Sequence, residues 1–597
     1  MSTQTTPTSL SSTAGLVQLG STEELIRQKL EQERARLERE YGVQHKEVHH
    51  FKRPAERLFT KADRSKATIL FGGLTWKHEK LIHGALESLG YKCEVVPTPD
   101  VRAFQLGKEY GNNGQCNPTY FTVGNVVQYL QRLEEQGMTK QDILDRYVFF
   151  TAGACGPCRF GMYEAEYRLA LRNSGFDGFR VMLFQQGGGL NQAEAEAGLE
   201  MNLQFFLGIL NAMNMGDLIN EVAYLIRPFE LNKGETDAVL DDLMDFMQGV
   251  MKRKKPWQPT GWLAKVVNGR PGLTSAANYL GQFLSQIWGD AYLSPLREVR
   301  DRLDAVKVDR LRVKPIVKIT GEFWAQTTEG DGNFNMFRFL EHEGAQILVE
   351  PIGTWIMYML HQAIQETGDR RGLADKEVMP GKWDIRKRLP LERNYYKKLA
   401  TLKVAEKIFK REYHRIKDAL GGIAHGLTDQ YELQRVGHPY YNSRAGGGEG
   451  HLEVAKNIYY SNKELCHMVL SMKPFGCMPS TQSDGAQSAV VARYKDMIFL
   501  PVETSGEGEV NAHSRVQMAL GEAKAKTKIE FAEVMKSTGK TLDQIKEFVE
   551  KHPDLQRPMY RVPKYKGVIG TAANFARHVS HLMDGSEKLG RSNGHAR

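Results

Sequence analysis

The spacing of apolar residues divides the chain into stretches of β-α-β pattern and stretches of helical periodicity. The run ATILFGG at 67–73 is short, apolar and ends in glycines, and a helix-like segment and the strand-like KCEVVP follow it. Two more apolar runs, RYVFFTAG at 146–153 and FRVMLFQQGGG at 179–189, also end in glycine. Short buried strands that alternate with helices are typical of a parallel sheet. We therefore predict a first α/β domain over residues 65–195.

The same pattern restarts after a helical stretch. Residues 196–310 have helical periodicity without strand punctuation, which predicts a helical linker domain. Strand-like runs then return as RVKPIVKITGEFW, AQILVEPI, HMVLSMKPFG and MIFLPVETSG. They predict a second α/β domain over 311–510, with a basic helical insertion at 355–425. The predicted fold class is α/β, with two flavodoxin- or Rossmann-like parallel-sheet domains, a helical linking layer and helical termini.

Both ends of the chain differ from this core. Residues 1–64 are predicted to be a disordered arm followed by a charged helix, which is interpreted as an arm or a contact in a homo-oligomer. Residues 511–597 are charged and mostly helical, with a flexible end. The first twenty residues do not have the pattern of a secretory signal, and no apolar run reaches the roughly 18–20 residues that cross a bilayer. We expect a cytoplasmic protein without a membrane partner.

Charge adds little to this picture. The net charge of +9 comes from 80 basic and 71 acidic residues, which is mild for 597 residues. Basic residues concentrate at 251–255, at 386–397 and in the C-terminal tail, either as solvated helix faces or as a docking face. No nucleic-acid-binding motif accompanies them, so nucleic acid is not an expected partner.

The cysteines carry the candidate chemistry. Six cysteines in a chain without an export signal argue against a disulfide framework, which leaves packing, redox thiols or metal ligation. Three share a Cys-x-Pro pattern, at 116–118, 155–157 and 477–479. A proline fixes φ and ends regular structure, so we expect each of these cysteines on a rigid, sharp loop. No regular structure is expected near Cys116.

Four cysteines match the ligand count of a [4Fe-4S] cluster. The predicted metal- and cofactor-binding residues are Cys116, Cys155, Cys158 and Cys477. Two of these loops directly follow predicted strands of different domains, so a shared site would lie in the cleft between the domains. Zinc also accepts four thiolates, although structural zinc sites usually pair ligands at short spacing. A site without metal and a Cys155–Cys158 thiol–disulfide pair are further alternatives.

The other two cysteines and a glycine loop have alternative interpretations. Cys93 lies within a predicted strand and is interpreted as a packed residue. Cys466 begins a predicted strand and is either packed or an accessory ligand. The sequence GGGEG at 446–450 opens a predicted helix, whose N-terminus could bind an anion.

Two polar residues are the candidates for a catalytic role. Glu322 follows a glycine at a strand end, where it is either a carboxylate facing the cluster or a group that stabilises the turn. Arg159, beside Cys158, either balances the charge of a cluster or forms a surface salt bridge. Further polar candidates by loop position are Glu109, Asn113, Glu164 and Asn335.

With these loops assembled, the sequence resembles proteins that activate, or are related to, 2-hydroxyglutaryl-CoA dehydratase, within the wider group of 2-hydroxyacyl-CoA dehydratase-like and double-cubane-cluster reductases. The matching stretches are GQCNPTYFTVGN (114–125), TAGACGPCRFGMYEAEYR (151–168), KITGEFW with a following Asn (318–335) and KPFGCMPSTQSDG (473–485). The resemblance covers about 65–510. It implies an oxygen-sensitive [4Fe-4S] or larger cluster between flavodoxin-like domains, with the four cysteines on the family's cysteine loops and Glu322 as its strand-end acid.

The resemblance also implies a partner, an ATPase of the actin/Hsp70/sugar-kinase superfamily that drives electrons to low potential. This chain lacks the phosphate-binding loops of that module and has no GxxxxGK[ST], so we do not expect it to be an ATPase itself. A double cubane, [8Fe-9S], would need six thiolates and therefore both Cys93 and Cys466, so we favour a single cubane unless a dimer shares ligands.

The expected function is that of an oxidoreductase component for ATP-dependent, low-potential electron transfer. One alternative is a catalytic [4Fe-4S] subunit resembling 2-hydroxyacyl-CoA dehydratases. The other is a non-enzymatic scaffold protein stabilised by zinc.

Overall fold

The computed structural model describes residues 14–41, 57–153, 158–185, 198–254, 257–260, 265, 271–371 and 383–586. The chain divides into two units, Met1–Ala55 and Glu56–Arg597. In the first unit the described structure is helix α1 (Ala14–Glu40). From Leu25 onward the side chains of α1 are mostly exposed, and charged residues pair along the helix.

Four parallel strands form the sheet of the first α/β domain. They are β1 (Thr68–Phe71), β2 (Lys92–Val95), β3 (Tyr147–Gly153) and β4 (Val181–Gln185). The order across the sheet is β2-β1-β3-β4. The helices of this domain are α2 (Trp76–Ser88), α3 (Val101–Tyr110), α4 (Asn117–Glu135), α5 (Lys140–Arg146) and α6 (Tyr163–Asn173). Helices cover both faces, because Ile69 and Leu70 of β1 belong to different buried clusters.

A helical layer follows the first sheet. Its helices are α7 (Leu203–Ile226), α8 (Glu235–Arg253), α9 (Pro271–Trp288) and α10 (Leu293–Asp304). The layer packs on the first domain through α7, whose Leu218 and Ile219 are fully buried in the same cluster as Ile69. Because α7 is apolar on most of its surface, it forms part of the core rather than an exposed linker.

The second α/β domain repeats the topology of the first. Its strands are β5 (Ile316–Gly321), β6 (Gln346–Leu348), β7 (Met468–Pro474) and β8 (Phe499–Thr504), all parallel, in the order β6-β5-β7-β8. The helices are α11 (Phe323–Thr327), α12 (Met336–His342), α13 (Ile352–Asp369), α14 (Ile385–Ala419), α15 (Gln430–Gly437), α16 (Gly450–Asn462) and α17 (Met478–Arg493). The prediction of two parallel-sheet α/β domains is confirmed.

The strand order places a crevice in each sheet. The chain leaves β1 towards β2 on one side and later returns to β3 on the other side, and β5 has the same relation to β6 and β7. Ligands of open parallel sheets bind at such a switch point, beyond the carboxyl ends of the strands. In the second sheet these ends are Gly321 and Pro474.

Up to residue 586, where the described part of the chain ends, three α-helices follow the second domain: α18 (Glu509–Thr538), α19 (Leu542–Lys551) and α20 (Thr571–Met583). They enclose a small apolar cluster that includes Ile545 and Phe575. The buried Arg310 donates to the carbonyl oxygens of Leu555 at 2.9 Å and Arg557 at 2.7 Å, which holds this region against the start of the second domain. Within the part of the chain that the structure describes, no helix has the length and apolar character needed to span a bilayer.

Candidate functional site

Each described cysteine of the predicted ligand set lies at the start of a helix. Cys116 and Cys477 are the N-cap residues of α4 and α17, and Cys158 caps a short 3₁₀ turn. The prediction that proline ends regular structure is therefore wrong for Pro118 and Pro479, and Pro157 lies outside the described residues. The prediction that no regular structure lies near Cys116 is also wrong. Pro118 and Pro479 take the second position of their helices, where a missing N–H costs no hydrogen bond and the fixed φ suits the helix. Helix N-termini thus lie beside the thiols.

The Cys116 and Cys477 loops meet across the boundary between the two domains. The backbone N–H of Asn117 donates to the carbonyl oxygen of Phe475 at 3.0 Å. The side-chain amide of Asn117 donates to the carbonyl oxygen of Thr504 at 2.6 Å. A Cβ atom on Gly476 would lie 3.3 Å from the Cα atom of Cys116. The φ of Gly476 is +76°, in the left-handed region. Both the close approach and the backbone conformation require glycine here.

Arg159 links the three cysteine loops. Its guanidinium donates to the carbonyl oxygen of Gly114, in the loop that leads to Cys116. The same guanidinium lies 3.6 Å from the Cβ position of Gly476, next to Cys477. The half-buried Arg159 therefore places a positive charge between the loops, as the sequence analysis considered, and it also has a structural role.

Two hydroxyl groups surround the thiol of Cys116. Its Sγ lies 3.2 Å from Oγ1 of Thr119 and 3.2 Å from the phenol oxygen of Tyr163. The residue is only 6% exposed. Hydrogen bonds from hydroxyl and N–H groups to ligand sulfurs are among the factors that set the potential of an iron–sulfur cluster.

Three glutamates of the second domain lie near the thiols. Glu322 follows β5 and caps α11, so it has the turn-stabilising role that the sequence analysis allowed. Glu449 is buried and accepts a hydrogen bond from the N–H of Phe323 at 2.6 Å. Glu453 is 1% exposed and accepts from the hydroxyl of Ser480, in the first turn of α17, at 2.7 Å.

Burial and these carboxylates raise the pKa values of the thiols. The pKa of Cys158 is raised to about 12, mainly by burial and further by Glu449 and Glu322. The pKa values of Cys116 and Cys477 are raised by burial and by the charge of Glu322. Burial and neighbouring glutamates also raise the pKa of Glu322 to about 8 and of Glu449 to about 7. Without metal the site holds its protons, and metal binding here would release them.

Comparison with known proteins does not assign the chain to a family. No family model matches it. No curated protein matches it either. The site is therefore interpreted from its own side chains.

Two kinds of metal centre could use thiolates from these loops, a single ion and a multi-iron cluster. Among the residues that the structure describes, no three His, Cys, Asp or Glu side chains are placed to hold one common metal ion. Zinc needs all its thiolates about 2.3 Å from one point. In a [4Fe-4S] cluster each thiolate binds a different iron, so the sulfurs lie around a larger body. Cys155 lies outside the described residues, two positions after Gly153 at the end of β3.

Cys93 and Cys466 lie away from this junction. Cys93 is on the edge strand β2, and its thiol donates to the carbonyl oxygen of His83 at 3.6 Å. Cys466 is 6% exposed and precedes the amino end of β7, whereas Cys477 follows the carboxyl end. The seven residues of β7 alone span about 20 Å. Neither cysteine reaches the junction of the other three within one chain.

The four further polar candidates, which were chosen by loop position, are exposed or pair with residues near them in sequence. Glu109 and Asn113 are exposed. Glu164 forms an ion pair with Arg168, one turn further along α6. Asn335 donates within its own turn before α12.

Glu449 and Glu453 are the site residues that sequence reasoning missed. The glycine loop at 446–450 does open a helix, but its N-cap is the buried Glu449, so an anion would meet a carboxyl group there. A Cβ atom on Gly448 would lie 2.3 Å from the ring of Pro479, so the missing side chain lets this loop approach α17. The glutamate within the glycine run was the available signal.

Proposed function

We propose that this chain is an iron–sulfur redox protein that transfers low-potential electrons. Support comes from the convergence of Cys116, Cys158 and Cys477 beside the carboxyl ends of two parallel sheets, where such folds place their ligands. With Cys155 they would hold one [4Fe-4S] cluster, which supplies one-electron transfer when bound. The cytoplasm, which keeps thiols reduced, is the compartment we propose.

The other side chains of the junction would tune this cluster. Arg159 would offset the negative charge of the thiolates. The hydroxyls of Thr119 and Tyr163 would donate to the sulfur of Cys116. The separation of Cys93 and Cys466 from the junction supports a single cubane over a double cubane within one chain.

The energy source that we propose is a separate ATPase of the actin/Hsp70/sugar-kinase superfamily. The support is the resemblance in sequence together with the absence of a phosphate-binding loop motif from this sequence. The partner would drive electrons into the cluster, and this chain would pass them to an acceptor.

A catalytic subunit resembling 2-hydroxyacyl-CoA dehydratases is the second candidate, and the glutamates favour it. With pKa values of about 8 and 7, Glu322 and Glu449 would exchange protons near neutral pH. Pure electron transfer does not require such groups. In the catalytic protein one iron is open to substrate, so one of the four cysteines would be dispensable for cluster binding.

A redox titration under argon, followed by electron paramagnetic resonance, tests the proposed function. We expect a paramagnetic reduced state with a midpoint potential near or below about −400 mV, the value of plant-type ferredoxins. Single Cys→Ser variants of the four cysteines separate the two candidates. In an electron carrier each of the four substitutions should abolish the paramagnetic signal, whereas in a catalytic subunit one of them should leave it in place. A protein without a redox-active centre would contradict both candidates.

A further inference from the structure

A small polar cavity lies where both α/β domains meet the helical layer. Its volume is about 20 Å³, measured as the space open to the centre of a water molecule. The polar lining residues that matter here are Thr75, His78, Asp217, Asn220, Glu221 and Gln326. A space of this size holds one water molecule or one ion without a hydration shell.

Three of these residues each have an oxygen atom without a hydrogen-bond partner. The atoms are Oδ1 of Asn220, Oε2 of Glu221 and Oε1 of Gln326. The three residues are only 5–6% exposed, so bulk water does not satisfy these oxygens. Buried polar groups are almost always paired, and these three unpaired acceptors belong to residues that line one cavity, which indicates an occupant.

A chain of hydrogen bonds fixes the orientation of the Asn220 amide. The carboxylate of Asp217 accepts two backbone N–H groups of α13 and lies 3.2 Å from Nε2 of His78, so Nε2 carries the proton. Nδ1 of His78 then accepts from the Thr75 hydroxyl at 2.7 Å. The Thr75 oxygen in turn accepts from Nδ2 of Asn220 at 2.9 Å. Oδ1 is therefore the free atom of Asn220.

The hydrogen bonds of Gln326 and Glu221 likewise show that the unpaired atom of each residue is an oxygen. Nε2 of Gln326 donates at 2.9 Å to the carbonyl oxygen of Gly321, which can only accept, so the amide cannot be reversed. Oε1 of Glu221 accepts from both the backbone N–H and the ring of His425, which leaves Oε2 free. The cavity thus offers two amide oxygens and one carboxylate oxygen.

We propose that this cavity binds a hard metal cation of the calcium or alkali-metal class, held by Asn220, Glu221 and Gln326. One water molecule has two hydrogens and would leave one of the three oxygens unpaired, whereas a cation satisfies all three and balances the carboxylate. Hard cations prefer carboxylate and amide oxygens. Calcium accepts irregular sets of protein oxygens, whereas magnesium demands near-ideal octahedral geometry, which oxygens from two differently oriented helices do not provide.

The cation would join the parts of the molecule that form the cysteine junction. Glu221 and Asn220 belong to α7 of the helical layer, and Gln326 belongs to α11 of the second domain. Gln326 lies one helical turn after Glu322, the N-cap of the same helix. The bound ion would therefore hold α11 and the end of β5 against the helical layer. This inference does not rest on the proposed redox function.

The thermal stability of the anaerobically purified full chain tests the cation site. Chlorides of calcium, sodium, potassium and magnesium are titrated at constant ionic strength, balanced with choline chloride. We expect a saturable rise in Tm of about 2 °C with calcium or an alkali ion and none with magnesium, because a ligand that binds only the folded state stabilises it. A rise with magnesium alone, or no cation-specific rise, would overturn the proposal.

Two variants and a control locate the effect. Glu221→Gln keeps an oxygen for His425 but removes the charge, so the cation-specific rise in Tm should disappear. Asn220→Ala removes one of the three oxygens and should raise the cation concentration at half effect; an unchanged value would overturn the proposal. Glu230→Gln is the control, because Glu230 is also buried but both its oxygens accept hydrogen bonds, from Gly234 and Thr236. Loss of the rise in this control, or its persistence in Glu221→Gln, would contradict the site.

Discussion

The high pKa of Cys158 argues against thiol–disulfide chemistry at the junction and is compatible with the metal ligation that we propose. A reactive cysteine needs a low pKa, and that requires exposure and positive charge nearby. Burial and the carboxylates of Glu322 and Glu449 instead raise the pKa of Cys158 to about 12. A metal supplies its own positive charge and displaces the proton, so the same surroundings do not prevent ligation.

Replacement of Glu449 by Gln should change how the stability of the metal-free protein depends on pH. The pKa of Glu449 is about 7 in the folded chain, above the ordinary 4.5, so the folded state binds its proton more tightly. The stability from this group is fully present below pH 4.5 and is lost as the pH rises to about 7. Urea unfolding at pH 5, 6, 7 and 8 should show a smaller loss in Glu449→Gln than in wild type, by about 1–3 kcal/mol.

Asp237→Asn is the control for this measurement. Burial raises the pKa of Asp237, but hydrogen bonds from Arg338 and the charge of Arg227 outweigh it and lower the pKa. Arginines stay charged between pH 5 and 8, so the variant should lose stability by a similar amount at each of these pH values. Equal pH dependence in Glu449→Gln and wild type would contradict the assigned environment of Glu449.

At the scale of elements, the strands were predictable and the helix starts beside the cysteines were not. All eight predicted strands are present, because short apolar runs bounded by turn residues such as glycine and proline are typical of buried strands. The prolines at 118 and 479 were misinterpreted, since proline both follows helices and begins them, and the choice depends on the residues that pack next to it. The buried Glu449 was missed because its hydrogen-bond partner, the N–H of Phe323, lies 126 residues earlier in the chain.

Gly476→Ala tests the contact between the Cys116 and Cys477 loops. Alanine at φ +76° costs about 1–2 kcal/mol from the backbone alone. Its Cβ would also press on the Cα atom of Cys116 at 3.3 Å and on the carbonyl oxygen of Gln115 at 3.1 Å. We expect a loss of stability beyond the backbone cost, together with a loss of bound iron, measured by chemical unfolding and metal analysis.

Gly567→Ala is the matched control. Gly567 has φ +77°, but no atom lies within 4 Å of its Cβ position. This variant should lose only the stability that the backbone conformation costs, and it should keep its bound iron. If both variants lose equal stability and both keep their iron, the two cysteine loops do not depend on each other.

At the scale of the whole molecule, the site depends on contacts that no local pattern contains. The sequence indicated three of the four candidate cysteines through their shared Cys-x-Pro pattern, and Cys158 through its short spacing from Cys155. The contact between Cys116 and Gly476 could not be predicted from the sequence. The two residues are 360 positions apart and meet only when the two domains pack against each other. The polar cavity is likewise formed by α2, α7 and α11 together. Tertiary packing of this kind exceeds what periodicity and motifs predict.

The purified chain alone should not hydrolyse ATP. It has no GxxxxGK[ST] motif, and the glycine runs at 187–189 and 446–448 lack the lysine that would contact phosphates. Phosphate release should stay at the buffer level with and without reductant. ATP hydrolysis that co-purifies with the chain through two different columns would contradict the need for a separate ATPase, provided that a single-residue variant of the chain abolishes it.

Iron and acid-labile sulfide per chain after anaerobic purification test the central claim most directly. We expect about four of each in wild type, a clear loss of both in Cys477→Ser, and wild-type values in Cys466→Ser, whose buried thiol lies at the opposite end of β7. About eight irons per chain would indicate a double cubane and contradict the single cluster. Zinc without sulfide, or no metal at all, would contradict the iron–sulfur function itself.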